Sequence, residues 1–392
     1  MFSRRTPKVH ATNRLTRALA TRAVPPLDLT VTNPTAVALG LEGAPLAALS
    51  ASEGRLYAPD PKGLRSAREA VAGYYAARGI RADPERIVLS ASSSETYSWL
   101  FKLLADPGDA ILVAAPSYPL LDALGALDAV TVARYELSMD GSWAFHAASV
   151  EREILRLKAE GTAVKGVVLV NPNNPTGSGV ARGELLDLLA LARERGFAVI
   201  SDEVFLDYRF AGGADEVAVA APLGAEGGAL VFSLGGLSKS AALPQLKLGW
   251  LLVGGPDDLV QGALPRLEWI ADAYLSVGTP VQLALPALLA WGKSATAAIR
   301  DRVRTNHAGL SRAFPPGAPT AAGPLRGGWS AVLRLPAVEP EEELVLRLLE
   351  EHDLLVHPGY FFDFPTEVFL VLSLLPPPDL FFEGVARLAR AL

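Results

Sequence analysis

Between residues 87 and 254 the chain repeats one pattern: a short run that is apolar at every position, then a longer stretch that is apolar on one helical face. RIVLSA follows the breaker Asp83-Pro84 and leads into ETYSWLFKLLA, whose apolar positions 97, 100, 101 and 104 have helical spacing. PGD ends that helix, and AILVAAP reads as the next buried strand. The rhythm returns in VKGVVLVNP, ELLDLLALARERG and FAVISDEV, then in ALVFSLGG and LGWLLVGG. A strand that is apolar on both faces must be covered on both faces. The pattern therefore predicts an α/β fold with a three-layer α/β/α large domain around a mostly parallel sheet, over residues 45–275.

The chain changes character after that. VQLALPALLAWGKSATAAIRDRVRTNHAGLSRAF is one long helical stretch, and GGWSAVLRLP and VFLVLSLL read as strands of a smaller α+β domain, residues 276–392. Residues 1–44 are expected to form an N-terminal arm that packs with it. A length of 392 residues suits two domains better than one core.

The net charge of −6 disfavours a nucleic-acid partner, whose phosphates attract a basic surface. With no cysteine there is no disulfide, thiolate metal site or cysteine nucleophile. The five histidines lack metal-ligand spacing, so no metal is expected. No apolar run approaches the roughly 18 residues of a membrane helix. The basic N-terminus, MFSRRTPKVHATNRLTRALATRA, lacks the apolar centre of a secretory signal. An ordered arm or frayed tail is preferred over a transit peptide, and a cytoplasmic location is expected.

Four motifs fall at strand ends, where ligands sit in doubly wound sheets. Each has a plain reading, and the first and last also have a functional one. NPNNPTG (171–177) is a rigid turn, or it aims Asn174 at a ligand. Asp202 in SDEVF, read alone, caps a helix. Lys239 in SLGGLSK, read alone, is a solvated lysine. ASSSE (91–95) is a capping box, or Ser92, Ser93 and Ser94 bind an anion at a helix start.

Taken together and in this order, the motifs resemble those of the class I/II aminotransferases, pyridoxal 5′-phosphate (PLP) enzymes of fold type I. The resemblance runs from LDLTVTNPT (27–35) through YAPDPKGLRSAREAVAGYY (57–75) and PGDAILVAAPSYP (107–119) to HPGYFFDF (357–364). It implies that Lys239 carries PLP as a Schiff base and moves the substrate proton. It further implies that Asp202 pairs with the ring nitrogen, Asn174 with the ring oxygen, and that Tyr118 stacks on the ring. Ser92, Ser93, Ser94 and Ser238 would surround the phosphate, and Tyr57 would reach the cofactor of the other subunit in a homodimer with shared sites.

Four positions depart from the family pattern. Phe205 stands where a tyrosine is usual, which removes a donor worth about 1 kcal/mol from the ring oxygen. Lys247, in PQLKLGW, replaces an arginine that would fork onto the phosphate; lysine keeps the charge but not the bidentate geometry. Gly236 replaces a hydroxyl residue, with Ser233 and Ser238 as substitutes nearby. The largest departure is Val371 in FLVLSLL, at the expected place of the arginine that clamps the substrate carboxylate. Either the alignment of this strand is shifted, or another group takes over, or the amino donor is not an ordinary α-amino acid. The second and third explanations are preferred. Arg326, Arg334 and Asn33 are the substrate-binding candidates, together with a residue from the partner subunit.

The resemblance implies a transaminase in amino acid metabolism, acting between an amino donor and an oxo-acid acceptor. A PLP lyase (β-elimination of a sulfur amino acid) or a decarboxylase is the alternative, because the cofactor site barely distinguishes them. A non-catalytic descendant would not need Lys239, Asp202 and Asn174 together, and no DNA-binding segment is attached.

Overall fold

The computed structural model describes residues 2–6, 12–39, 43–138, 140–210, 215–366 and 368–392. A seven-stranded sheet runs in the order Ile87–Ser90, Gly249–Gly254, Val231–Gly236, Ala198–Asp202, Val164–Val170, Ala110–Ala115, Thr131–Glu136. Only Gly249–Gly254 runs antiparallel to its neighbours. The two-residue alternation of strands sorts the apolar side chains into two cores. Leu112, Leu169, Val199 and Trp250 pack under the helices Arg65–Ala76, Ala147–Ala159 and Arg182–Arg195. Val113, Val168, Ile200 and Leu251 pack under Ser93–Leu104, Leu120–Asp128 and Asp257–Asp272. These are the three layers that the both-face apolar runs require.

A smaller antiparallel sheet has the order His357–Pro358, Phe369–Ser373, Ser330–Arg334, Ala321–Ala322. Leu333, Leu370 and Leu372 point into its own core, with Leu344 and Leu348 of the helix Glu341–His352. The N-terminal arm joins this unit. Leu15, on the helix Arg14–Ala20, is buried in the same core, and Leu27–Asp28 pairs in parallel with Leu354–Leu355. Of the expected arm, residues 1, 7–11 and 40–42 lie outside the described residues.

The helix Thr279–Ala313 is shared. Its first half (Val281, Leu285, Leu288) packs with the large sheet, and its second half (Ile299, Val303, Leu310) packs with the small one. The expected boundary after residue 275 falls just before this helix. At Gly292 the helix crosses the turn that carries Lys239. A Cβ there would lie 2.5 Å from the Ser240 carbonyl oxygen, so only glycine permits the approach.

Candidate active site

A cavity of about 660 Å³ opens at the carboxyl ends of the parallel strands, against the small sheet. Lys239 reaches it from the turn Leu237–Ser240, directly after the strand Val231–Gly236. Its ammonium nitrogen sits 4.9 Å from the centre of the Trp329 ring and 5.7 Å from that of Phe205. Burial pulls its pKa below the usual lysine value, and the negative charge of Asp202 only partly offsets this. Tyr208 fixes the turn from below by donating its hydroxyl to the Lys239 carbonyl at 2.8 Å.

Asp202 ends the central strand Ala198–Asp202 and is buried. Burial pushes its pKa up. The Val204 N–H (3.2 Å), the Tyr97 hydroxyl (2.9 Å) and the charge of Lys239 act the other way, favouring the carboxylate. Tyr97 stands one helical turn after Ser93, on the helix Ser93–Leu104, so both face the cavity.

Asn174 reaches the cavity because its neighbours are spent on holding the loop. Asn171 donates to the Val217 carbonyl at 2.9 Å, and Asn173 donates to the Thr176 hydroxyl at 2.8 Å. Gly177, at φ +71°, closes the turn against Gly327. Tyr118, half exposed, and Phe205 complete the set that the structure brings together: Lys239, Asp202, Asn174, Tyr118, Ser93 and Phe205.

Other expected residues lie elsewhere, for local reasons. Ser92 caps its helix by accepting the Glu95 N–H at 3.2 Å, while Glu95 accepts the Ala91 N–H at 2.7 Å. The plain capping-box reading therefore describes Ser92, and neither it nor Ser94 lines the cavity. Ser238 does not line it either. Ser233 points to the opposite side of the sheet and donates to Glu203 at 2.8 Å. Lys247 is exposed, in a left-handed backbone conformation (φ 52°), away from the cavity lining. Tyr57 is 83% exposed and borders a separate cavity beside Trp99 and Leu275.

None of the three substrate-binding candidates faces the cavity. Arg334 is exposed at the far end of its strand. Arg326 is half-buried, with its backbone carbonyl bound to Phe210 N–H. Asn33 accepts from Thr35 N–H at 3.0 Å and from the Thr35 hydroxyl at 2.8 Å, so it holds a turn. Thr30 and Thr32 of the same segment line the cavity instead. Val371 does lie on the cavity wall, where the arginine was expected.

Sequence reasoning missed Tyr97, Trp329 and His357. Tyr97 falls on the apolar helix face by its spacing, although its four-residue separation from Ser93 is a usable signal. Trp329 and His357 carry none, because only the packing of the small sheet turns them inward.

The model of the family described as aminotransferase class I and II matches residues 29–374. The glutamate-pyruvate aminotransferase AlaA of Haemophilus influenzae is 26% identical over 346 residues, covering 85% of this chain and 82% of that protein. The AlaA protein of Escherichia coli K12 is 30% identical over 231 residues, 59% of this chain and 55% of that one. The solved alanine aminotransferase of Pyrococcus furiosus shares the fold at a TM-score of 0.80 and 22% identity, over 96% of this chain and 94% of that one. Among the described residues no helix is long and apolar enough to cross a membrane. The chain belongs to the class I and II aminotransferases and is a pyridoxal-phosphate-dependent transaminase.

Proposed function

We propose that the chain moves amino groups between an amino acid or amine and a 2-oxo acid, with PLP held between Lys239 and Asp202. One observation carries this reading: a largely buried amine and a buried carboxylate line the same cavity, and neither is consumed by an ion pair.

The residues present fit the cofactor. Burial raises the pKa of the Asp202 carboxyl against the hydrogen bonds from Tyr97 and Val204, so a cationic partner such as a protonated pyridine nitrogen would favour its carboxylate form. The free N–H groups at the start of the helix Ser93–Leu104, with the Ser93 hydroxyl, suit a phosphate. Bound PLP supplies an electron sink for negative charge developing at the substrate Cα.

The protein's own groups do the rest. Asp202 would keep the ring nitrogen protonated. Lys239, its ammonium form disfavoured by burial, provides a neutral amine that takes and returns the Cα proton. Asn174 would donate to the ring oxygen, and Tyr118, at the cavity mouth, would cover one ring face. Trp329 and Phe205, packed edge to face at 5.4 Å, keep water from the amine.

Phe205 offers the ring oxygen no hydroxyl. Phe205→Tyr is therefore expected to tighten cofactor retention about fivefold, as one net hydrogen bond is worth about 1 kcal/mol. Equilibrium dialysis reads it, and unchanged retention would mean that position 205 does not meet the ring.

The enzyme works in this reading as a cytoplasmic homodimer in amino acid metabolism. Leu56, Tyr57, Trp269 and Tyr274 are all more than half exposed, an apolar set suited to a second copy that would carry Tyr57 to the partner's cofactor. Sedimentation equilibrium tests the dimer, and a monomer at micromolar concentration would contradict it.

The names of the AlaA relatives make glutamate and pyruvate the first pair to try. Holoenzyme mixed with glutamate and no acceptor should release one equivalent of 2-oxoglutarate per subunit and then stop until pyruvate is added. Continuous release of ammonia without an acceptor would instead indicate a lyase.

A further inference from the structure

A transaminase must hold a carboxylate in at least one half-reaction, because the 2-oxo acid carries one. Among the described residues of this chain, no guanidinium lines the cavity. Of the described side chains that line it, only Lys239 and His357 can carry positive charge, and Lys239 is committed to the cofactor. Arg134, behind Asp363 at the rim, is spent on two carboxylates, Asp122 at 2.5 Å and Asp363 at 2.8 Å.

His357 stands opposite Val371. The strands His357–Pro358 and Phe369–Ser373 pair antiparallel with His357 in register with Val371, so the two side chains share the face turned to the cavity. No described residue hydrogen-bonds to either ring nitrogen, and Nδ1 is shut off from water. Two hydroxyls of the cavity wall are spent on the protein. Thr30 donates to Asp28 at 2.6 Å, and Ser373 donates to the Val31 carbonyl at 2.5 Å.

We propose that His357 is the specificity-determining carboxylate partner of this enzyme: its imidazolium receives the α-carboxylate of amino and oxo acids in place of an arginine at position 371. This rests on the transaminase reading above. A single imidazolium gives a carboxylate fewer charge-assisted bonds than a forked guanidinium, so α-amino acids bind more weakly and with a pH dependence. Burial lowers the pKa of His357, and Asp28 on the neighbouring arm strand opposes that. The other titratable groups around it are Glu341 on the adjacent helix, Tyr360 and Asp363 on the following turn, and Lys239 and Asp202 across the cavity. Glu341 is engaged by the N–H groups of Tyr360 and Phe369. A bound carboxylate adds a negative charge beside the ring and must raise its pKa. Affinity therefore falls as pH rises through the titration of the ring.

The test uses holoenzyme and glutarate, a dicarboxylate with no amine. The chain has five histidines, so the His357 ring resonance is assigned by its loss in His357→Phe. Saturating glutarate should raise the pKa of that resonance by about one or more, a response that a purely structural histidine would not give. His357→Phe should weaken glutarate binding roughly 10- to 100-fold, the worth of one charged hydrogen bond. It should also raise KM for glutamate more than it lowers kcat. His357→Gln, which keeps a neutral donor and similar bulk, should fall between the two and lose the pH dependence; it guards against misfolding of the Phe variant. An unmoved resonance, with glutarate affinity and KM unchanged in both variants, overturns the proposal and leaves the transaminase reading standing. A wild type that releases no oxo acid from any amino acid defeats that reading instead, while the glutarate titration still decides for or against His357.

Discussion

Lys239→Ala should fold normally and lose at least about three orders of magnitude in single-turnover transamination. The side chain makes no hydrogen bond or ion pair that the fold depends on; the turn is held through the Lys239 carbonyl by Tyr208, which alanine preserves. The variant should melt within a few degrees of wild type. The loss in rate has two sources: a positioned proton carrier contributes roughly 10²–10⁴-fold, and the covalent hold on the cofactor goes with it. Rapid-mixing kinetics with glutamate read the effect. A variant within tenfold of wild type would mean that another group moves the proton. Lys239→Arg is the informative companion, because it restores charge and bulk but cannot supply a neutral amine.

The largest effect on stability is expected at Glu203, the residue after Asp202. Strand alternation turns it away from the cavity into the layer beneath, where it is buried. Its Oε1 accepts from Ala220 N–H and the Ser233 hydroxyl, each at 2.8 Å, while Oε2 has no partner. Burial pushes its pKa up to about 8. In the unfolded chain the same carboxyl ionises near 4.5. Between those values the folded state binds the extra proton, so stability falls as pH rises from about 4.5 to 8 and levels off above. The loss is on the order of 3 kcal/mol by pH 7. Glu203→Gln is neutral throughout and removes this dependence. It should match wild type near pH 5 and outlast it by several degrees in thermal melting at pH 8.5. Equal pH profiles for the two proteins would place the pKa of Glu203 near its ordinary value.

Most of the large unit was legible because its information is local. A strand apolar at every position can only be a covered strand, so the layer order follows from runs such as AILVAAP and VVLV. The positions of Lys239, Asp202 and Asn174 were legible for a related reason: each sits at the end of such a strand. The phosphate contacts were less legible, because Ser92, Ser93 and Ser94 are consecutive in sequence but take different jobs once the helix starts. One caps and one faces the cavity. The substrate wall was the least legible part. Arg326 and Arg334 were favoured for their charge, yet the pairing of two strands eleven residues apart turns His357 and Val371 inward instead. That juxtaposition depends on the register of two strands separated by a ten-residue connection, where a one-residue slip would turn both side chains to the other face.

The most direct measurement is borohydride reduction of the PLP-loaded protein, followed by peptide mass mapping. A single pyridoxyl group on the peptide that contains Lys239, with the visible absorbance bleached in step, is the expected result. Label spread over exposed lysines such as Lys247, or no label at saturating cofactor, would contradict the central assignment.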